Sequence, residues 1–371
     1  MSIASDTPEP YDVDHSDKTR PHIIDTDVHE TLTSTTKLLP YIDRQWRSYI
    51  TDFRFTDGFV AGGNPYAYRG GNRMDWSRDF GPASESVEAL RQHLFVEEKE
   101  SLVILNGFFH VASIKAEYEF AAALASAYND WQIAEWLDKE PRLRGSIHVT
   151  DHDPGAAVRE IDRLGDHPQM VQVFLPTVTD RQYGEPHFHS IYEAARRHNL
   201  SVAFHHGSAT QTVLGYSRYY AEWHVLAPPQ AAMGQLTSLV CNGVLDKFDD
   251  LKFIFLECSL GWLPWAMRRL DQNIKECAPE VPWVKRLPSD SIRACVRMST
   301  QPMGDVKPSD FVRLVEDVES DELFMFSSDY PHYDADGAVQ TFPAAIGRQL
   351  QQAVLSGNAI KAYPRLEAVQ L

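Results

Sequence analysis

The stretch Ile23-Ile24-Asp25-Thr26-Asp27-Val28-His29-Glu30 decides how the rest of the chain is read. Two isoleucines run into Asp-x-Asp-x-His, an apolar approach that ends abruptly in carboxylates and an imidazole. That is the pattern of a buried strand whose C-terminal end stops in metal-binding chemistry. Alternation along a strand sends residues of equal parity to one face. Asp27 and His29 are therefore expected to point the same way, with Asp25 beneath them. Such a pair packs poorly but makes a good half of a metal site.

The same switch from oily to polar recurs downstream. Ser201-Val202-Ala203-Phe204 runs into His205-His206-Gly207, Leu251-Lys252-Phe253-Ile254-Phe255-Leu256 delivers Glu257, and Leu323-Phe324-Met325-Phe326 delivers Ser327-Ser328-Asp329. Leu102-Val103-Ile104-Leu105, Gly145-Ser146-Ile147-His148-Val149, Met170-Val171-Gln172-Val173-Phe174-Leu175 and Ile292-Arg293-Ala294-Cys295-Val296 read as further strands. Helical patterns fall between them, near residues 114–137, 155–164, 190–198, 231–244, 262–277 and 338–355. Eight strands alternating with helices predict an α/β fold, a (β/α)8 TIM barrel. A doubly wound sheet fits less well, because no glycine-rich phosphate fingerprint follows the first strand.

Composition narrows the function classes. The chain has 371 residues, is 43% hydrophobic and carries a formal charge of −17. The acidity argues against nucleic acid or an anionic membrane as a partner, and no apolar run is long enough to span a bilayer. Residues 1–20 are polar, lack an apolar core segment of a secretory signal, and are expected to form a disordered tail. Cys241, Cys258, Cys277 and Cys295 show no paired spacing, which fits a reducing cytoplasm. Residues 21–371 read as one barrel domain. Within it, residues 31–100 form a long insertion after the first strand, expected to be a lid or partner surface. Tyr66, Arg69 and Arg73 in that insertion are candidates to clamp a carboxylate substrate.

In a barrel the C-terminal ends of all strands meet at one mouth. Asp27, His29, His205, His206, Glu257 and Asp329 would converge there, with His332 three residues past Asp329. Buried together without a cation, several would be left unpaired. Other polar or aromatic residues have blander readings. His187 and His189 precede a helix as solvated or capping groups, and His110 and His148 are structural. Trp262 and Trp265 read as barrel packing, and Ser327-Ser328 lacks an oriented base.

Asp25-x-Asp27-x-His29, Phe204-His205-His206-Gly207, Glu257 with Gly261-Trp262-Leu263-Pro264, and Ser328-Asp329-Tyr330-Pro331-His332 together resemble the amidohydrolase-related family. These are metal-dependent hydrolases and aromatic-acid decarboxylases. Tyr128-Asn129-Asp130-Trp131 and Thr300-Gln301-Pro302-Met303 extend the likeness. The resemblance implies a divalent metal held by Asp27, His29, His205 and Asp329.

Two departures from the family pattern stand out. Asp27-x-His29 replaces a His-x-His pair, which moves metal preference from zinc towards iron or manganese. Glu257 stands where relatives carry an acid/base histidine. No lysine lies between Lys139 and Lys247, so none is available to bridge two metals. With two ions, Glu257 would be the bridge, and His206 and His332 further ligands. With one, Glu257 would serve as general base, so Glu257 and His206 are the candidate catalytic residues. The resemblance therefore extends to the family's oxygen-activating offshoot, the 2-aminoisobutyrate hydroxylases. The expectation is a dinuclear Fe/Mn O2-dependent hydroxylase (monooxygenase) acting on a small molecule. A hydrolase (with zinc) or a non-oxidative decarboxylase is the alternative. An oligomer, with a related but unlike subunit as one form, is the expected assembly.

Overall fold

The computed structural model of the chain describes residues 21–52, 71–73, 75–77, 83–107, 117–206, 211–212, 215–303, 306–367 and 369. The 1–20 tail, Tyr66, Arg69, His110 and Gly207 lie outside the described residues.

Eight strands pair in parallel: β1 (Ile24–Val28), β2 (Leu102–Leu105), β3 (Leu143–His148), β4 (Met170–Pro176), β5 (Ser201–His205), β8 (Phe253–Leu256), β9 (Val296–Ser299) and β10 (Phe324–Met325). A two-stranded ribbon, β6 (Gln211–Thr212) with β7 (Gly215–Tyr216), lies between β5 and β8 in sequence. The sheet closes on itself where the chain leaves β10. Thr26 N–H donates to the Phe326 carbonyl at 3.1 Å, and His29 N–H donates to that of Tyr330 at 2.8 Å. Val28 and Tyr330 form a parallel bridge. The fold is the (β/α)8 barrel.

Helices cover the outside. Tyr118–Glu135, Pro154–Leu164, His189–Arg197, Tyr220–Cys241, Leu263–Glu276 and Pro308–Val318 bury apolar residues such as Leu124, Ile161, Ile191, Leu236, Leu263 and Phe311. They pack in one cluster with Val103, Val173, Phe204 and Phe255 of the strands. A second cluster gathers Leu102, Ile104, Val171, Ala203, Ile254, Leu256 and Met325 with Ala359, Ala362, Tyr363 and Leu366 of the C-terminal segment. The Arg365 guanidinium fixes that segment by donating to the carbonyls of His167 (2.8 Å), Met170 (2.9 Å) and His198 (2.7 Å). Those carbonyls sit at or before the start of β4 and β5. The segment therefore covers the end where strands begin, leaving chemistry to the other.

The described parts of residues 31–100 form short helical turns, among them Arg44–Thr51, Val87–Leu90 and Arg91–Glu97. Their Ile50, Leu90 and Leu94 are buried in the outer core. Among the described residues no helix is long and apolar enough to cross a membrane.

Three element boundaries differ from the sequence reading. Ile292-Arg293-Ala294-Cys295 is not strand but the end of a helix, Pro288–Cys295, entered through a proline in its first turn. The strand follows as Val296-Arg297-Met298-Ser299. Its Arg297 is buried, donating to the Arg293 carbonyl at 3.0 Å and the Val296 carbonyl at 2.7 Å. A buried arginine disguises a strand, and a short apolar run does not distinguish helix from strand by period. The helix expected near 231–244 starts a full three turns earlier, at Tyr220, and runs through Pro228 and Pro229. The final helix is broken into short pieces from Ala338–Thr341 to Asn358–Ala362.

Candidate metal centre

Four strands or their exits build the centre. Asp27 lies one residue before the end of β1, with His29 just beyond it; His205 ends β5; Glu257 follows β8; Asp329 and His332 follow β10. Asp27, His29, His205, Glu257 and Asp329 are each no more than 2% exposed. Glu257 and Asp329 have φ of 49° and 63°. This left-handed region costs a residue other than glycine roughly 1–2 kcal/mol. Strain of that kind persists where the surroundings over-determine a functional geometry.

The candidate ligand atoms fall into two overlapping groups. Asp27, His29, His205 and Glu257 form one, and His29, Glu257, Asp329 and His332 the other, with the atoms of each within 4.8 Å of one another. His29 Nε2 lies 2.9 Å from Asp329 Oδ1 and 3.5 Å from Asp27 Oδ1. His205 Nε2 lies 3.3 Å from Glu257 Oε2 and 3.6 Å from Asp27 Oδ2. His332 Nδ1 is 2.6 Å from Asp329 Oδ2. His206 Nε2 is 2.6 Å from Glu257 Oε2, yet neither atom makes an aligned hydrogen bond. Close approach without hydrogen-bond alignment is what donor atoms show when they converge on a common cation. Buried imidazole and carboxylate donors suit manganese, iron or zinc, so the residues fit a divalent metal.

Electrostatics point the same way. Burial would depress His29, but the carboxylates of Asp27, Asp329 and Glu257 outweigh it and push its pKa up to about 10. Burial, then the Glu257 charge, holds Asp329 well above the carboxylate range. Burial would also raise Glu257, but His206, His205 and His224 hold it well below that range. Three buried carboxylates call for positive charge, and the imidazoles supply it when no ion does. His148, depressed to about 3 chiefly by burial, is neutral and packs between Tyr128 and Phe174.

All seven residues singled out in the sequence meet here: Asp27, His29, His205, Glu257, Asp329 and His332 in the two groups, His206 against Glu257. Asp25 is used differently from the expected stacking. β1 has a register irregularity between Asp25 and Val28, and Asp25 Oδ1 accepts from the N–H groups of Asp27 (3.1 Å) and Ser328 (2.9 Å).

Other candidates fall away from the centre. Arg73 pairs with Asp75 and lies over the Trp76 ring. His189 bonds Lys247 Nζ at 2.9 Å. Trp262 donates to the Cys258 carbonyl at 2.9 Å, whereas Trp265 is 57% exposed, because its helix turns it outward rather than into the barrel. The Ser327 and Ser328 hydroxyls accept from the N–H groups of Gln301 and Tyr330.

The structure adds residues the sequence reading passed over. His224 Nε2 lies 3.3 Å from Glu257 Oε1, with Tyr220 stacked on its ring at 5.5 Å and Trp223 against His206 at 5.3 Å. They ride on the first turn of helix Tyr220–Cys241, the turn that Pro228 and Pro229 hide from a sequence reading. Asn106 and Gly107, just past the end of β2, touch both candidate ligands of β1. Asn106 Nδ2 donates to Asp27 Oδ1 at 2.7 Å, and the Gly107 carbonyl lies 2.7 Å from His29 Nδ1. The signal was present: Leu-Val-Ile-Leu ending in Asn-Gly is the same oily-to-polar switch.

The amidohydrolase family model matches residues 24–365. The chain belongs to the amidohydrolase family. No curated protein matches it. Among solved structures, 5-carboxyvanillate decarboxylase from Sphingomonas paucimobilis is similar, at 19% identity and a TM-score of 0.70 over 93% of this chain and 99% of that one. An amidohydrolase from Mycobacterium avium subsp. paratuberculosis matches at 16% identity and 0.72, over 92% and 99%. A dihydroxybenzoic acid decarboxylase from Polaromonas sp., solved with bound manganese and 2-nitroresorcinol, matches at 17% and 0.67, over 94% and 98%. At such identities the likeness concerns this amidohydrolase's fold. Its chemistry rests on the residues at the mouth.

Proposed function

We propose that this amidohydrolase-family chain uses a divalent metal, manganese or iron, to carry out non-oxidative decarboxylation of a small aromatic acid. The observation that carries the reading is the set of buried, converging carboxylate and imidazole donors at the C-terminal mouth. Support for the reaction comes from structural neighbours that are aromatic-acid decarboxylases, one of them with manganese. In this light the reading shifts from the hydroxylase expected on sequence to its alternative.

Asp27, His29, His205 and Asp329 would hold the ion, with Glu257 beside them as the base. When bound it supplies Lewis acidity towards a carboxylate or phenolate oxygen. The protein contributes the rest. Glu257 stays ionised among its imidazoles, and His206 beside it is placed to carry a proton at the mouth. Tyr220, Trp223 and His224 offer aromatic surface to a planar substrate. The test is CO2 release from a panel of hydroxybenzoic acids by manganese-loaded protein in D2O. CO2 with one solvent deuteron in the product is expected, abolished by chelation. Turnover of amides alone, with every acid inert, would overturn the reading.

A second reading is favoured by one observation: His29 and Glu257 belong to both ligand groups. A shared carboxylate is what a two-ion centre needs, and two redox-active ions would return O2-dependent hydroxylation to the front. Incorporation of 18O from O2 into product separates the two reactions.

A further inference from the structure

The end of β2 carries two residues that appear in neither ligand group yet contact both β1 ligands. Asn106 is fully buried and every hydrogen-bonding position of its amide near the centre is used. Its Nδ2 donates to the Thr26 carbonyl at 3.0 Å and to Asp27 Oδ1 at 2.7 Å. Its Oδ1 accepts from the Ser146 hydroxyl at 2.7 Å and from Gln172 Nε2 at 2.7 Å. Gln172 Nε2 also donates to Ser146 Oγ at 2.8 Å, so three side chains from β2, β3 and β4 form one closed network. All three are 0% exposed.

Such a layer inside a barrel is expensive to build. An apolar trio would fill the same space without buried polar groups, and barrel interiors are filled mostly by bulky aliphatics. The arrangement has one consequence at the centre. The flipped amide is forbidden from both sides: it would set Oδ1 against the Thr26 carbonyl and the Asp27 carboxylate, and Nδ2 against Gln172 Nε2. The NH2 side is thereby forced towards Asp27. Oδ1 of Asp27 is taken by that donor, and Oδ2, which makes no hydrogen bond, is left to face His205. One residue on, the Gly107 carbonyl takes His29 Nδ1–H, so Nε2 is the nitrogen presented to the centre.

We infer that Asn106, locked by Ser146 and Gln172, is a positioning residue that makes Asp27 offer one oxygen to the metal, and that Asn106-Gly107 orients both ligands of β1. This rests on the metal reading above. Outer partners of metal ligands typically contribute about 10–100-fold to affinity, which sets the expected effect.

The experiment is a chelator-competition measurement of Mn2+ affinity with the Mn2+ EPR spectrum as second readout, on the full chain. Asn106→Ala is expected to weaken Mn2+ about 10–100-fold and to change the EPR line shape. Gln172→Met, which removes one of the two locks while keeping volume, is expected to move both readouts the same way by a smaller factor. It carries the test if Asn106→Ala does not fold. Folded Asn106→Ala or Gln172→Met protein with wild-type affinity and spectrum would overturn the inference while the metal reading stands. Wild-type protein that takes up no Mn2+, or Asp27→Ala protein that binds it unchanged, would remove the metal reading and this inference with it.

Discussion

The backbone N–H of Asp329 donates to the carbonyl of Asp27 at 3.0 Å. The barrel seam therefore closes through the two residues whose carboxylates face the centre. His29 N–H to the Tyr330 carbonyl and Ser328 N–H to the Asp25 carboxylate continue the seam on either side. Seam and centre are one construction, but at Asp27 and Asp329 they use different atoms: the backbone closes the barrel and the carboxylates face the centre. Side-chain substitutions at the centre should therefore change metal binding without opening the barrel.

The first prediction follows directly. Asp329→Ala and His205→Ala should lose metal by more than the ~10–100-fold expected of an outer partner, with far-ultraviolet circular dichroism unchanged. Metal analysis after gel filtration checks it. Full metal content in either variant would remove that residue from the ligand set.

Glu257→Gln keeps shape and loses charge. If the wild-type protein holds two ions, the variant should hold one, because the carboxylate shared by both ligand groups is gone. If the wild-type protein holds one, Glu257 acts as a base, and the variant should keep its ion and lose turnover. Unchanged stoichiometry together with unchanged turnover would contradict both.

Gly107 sits at φ +63°, and a Cβ there would collide with the Tyr128 hydroxyl. Gly107→Ala should cost at least about 1–2 kcal/mol from the left-handed backbone alone, read as a lower denaturation midpoint.

Glu140 gives a pH prediction far from the metal. It is 3% exposed in its side chain and bonds Arg91 Nε at 2.6 Å and Arg142 Nε at 2.8 Å. Burial alone would raise it, but the two guanidinium groups outweigh burial and hold it below its ordinary value of 4.5. A carboxylate depressed on folding stabilises fully above that ordinary value, and the stabilisation is lost as pH falls through the lower folded value. Glu140→Gln should therefore lower stability by about 1–3 kcal/mol at pH 7, and the gap to wild type should close in acid. A gap that widens as the pH falls would contradict the assignment.

The sequence announced the centre because burial and polarity conflict there. An oily strand ending in Asp27, His205, Glu257 or Asp329 makes no sense as packing, so each could be read locally. What stayed hidden depended on tertiary context. Arg297 disguised β9 because its charge is satisfied by carbonyls that only the fold brings near. Pro228 and Pro229 read as helix breakers, which hid the turn that delivers His224. Asn106 follows an oily run in the same way, but which groups its amide meets is visible only once β2 lies beside β1.

Metal content tests the central claim most directly. Protein grown with manganese and iron, purified anaerobically, would be analysed for bound metal and by EPR, beside Asp27→Ala and Asp329→Ala variants. The expected result is a stoichiometric divalent ion in the wild-type protein, with nitrogen hyperfine coupling from imidazole ligands, and its loss in both variants. A wild-type protein that retains no ion, or variants that retain it with an unchanged spectrum, would contradict the assignment of this mouth as a metal centre.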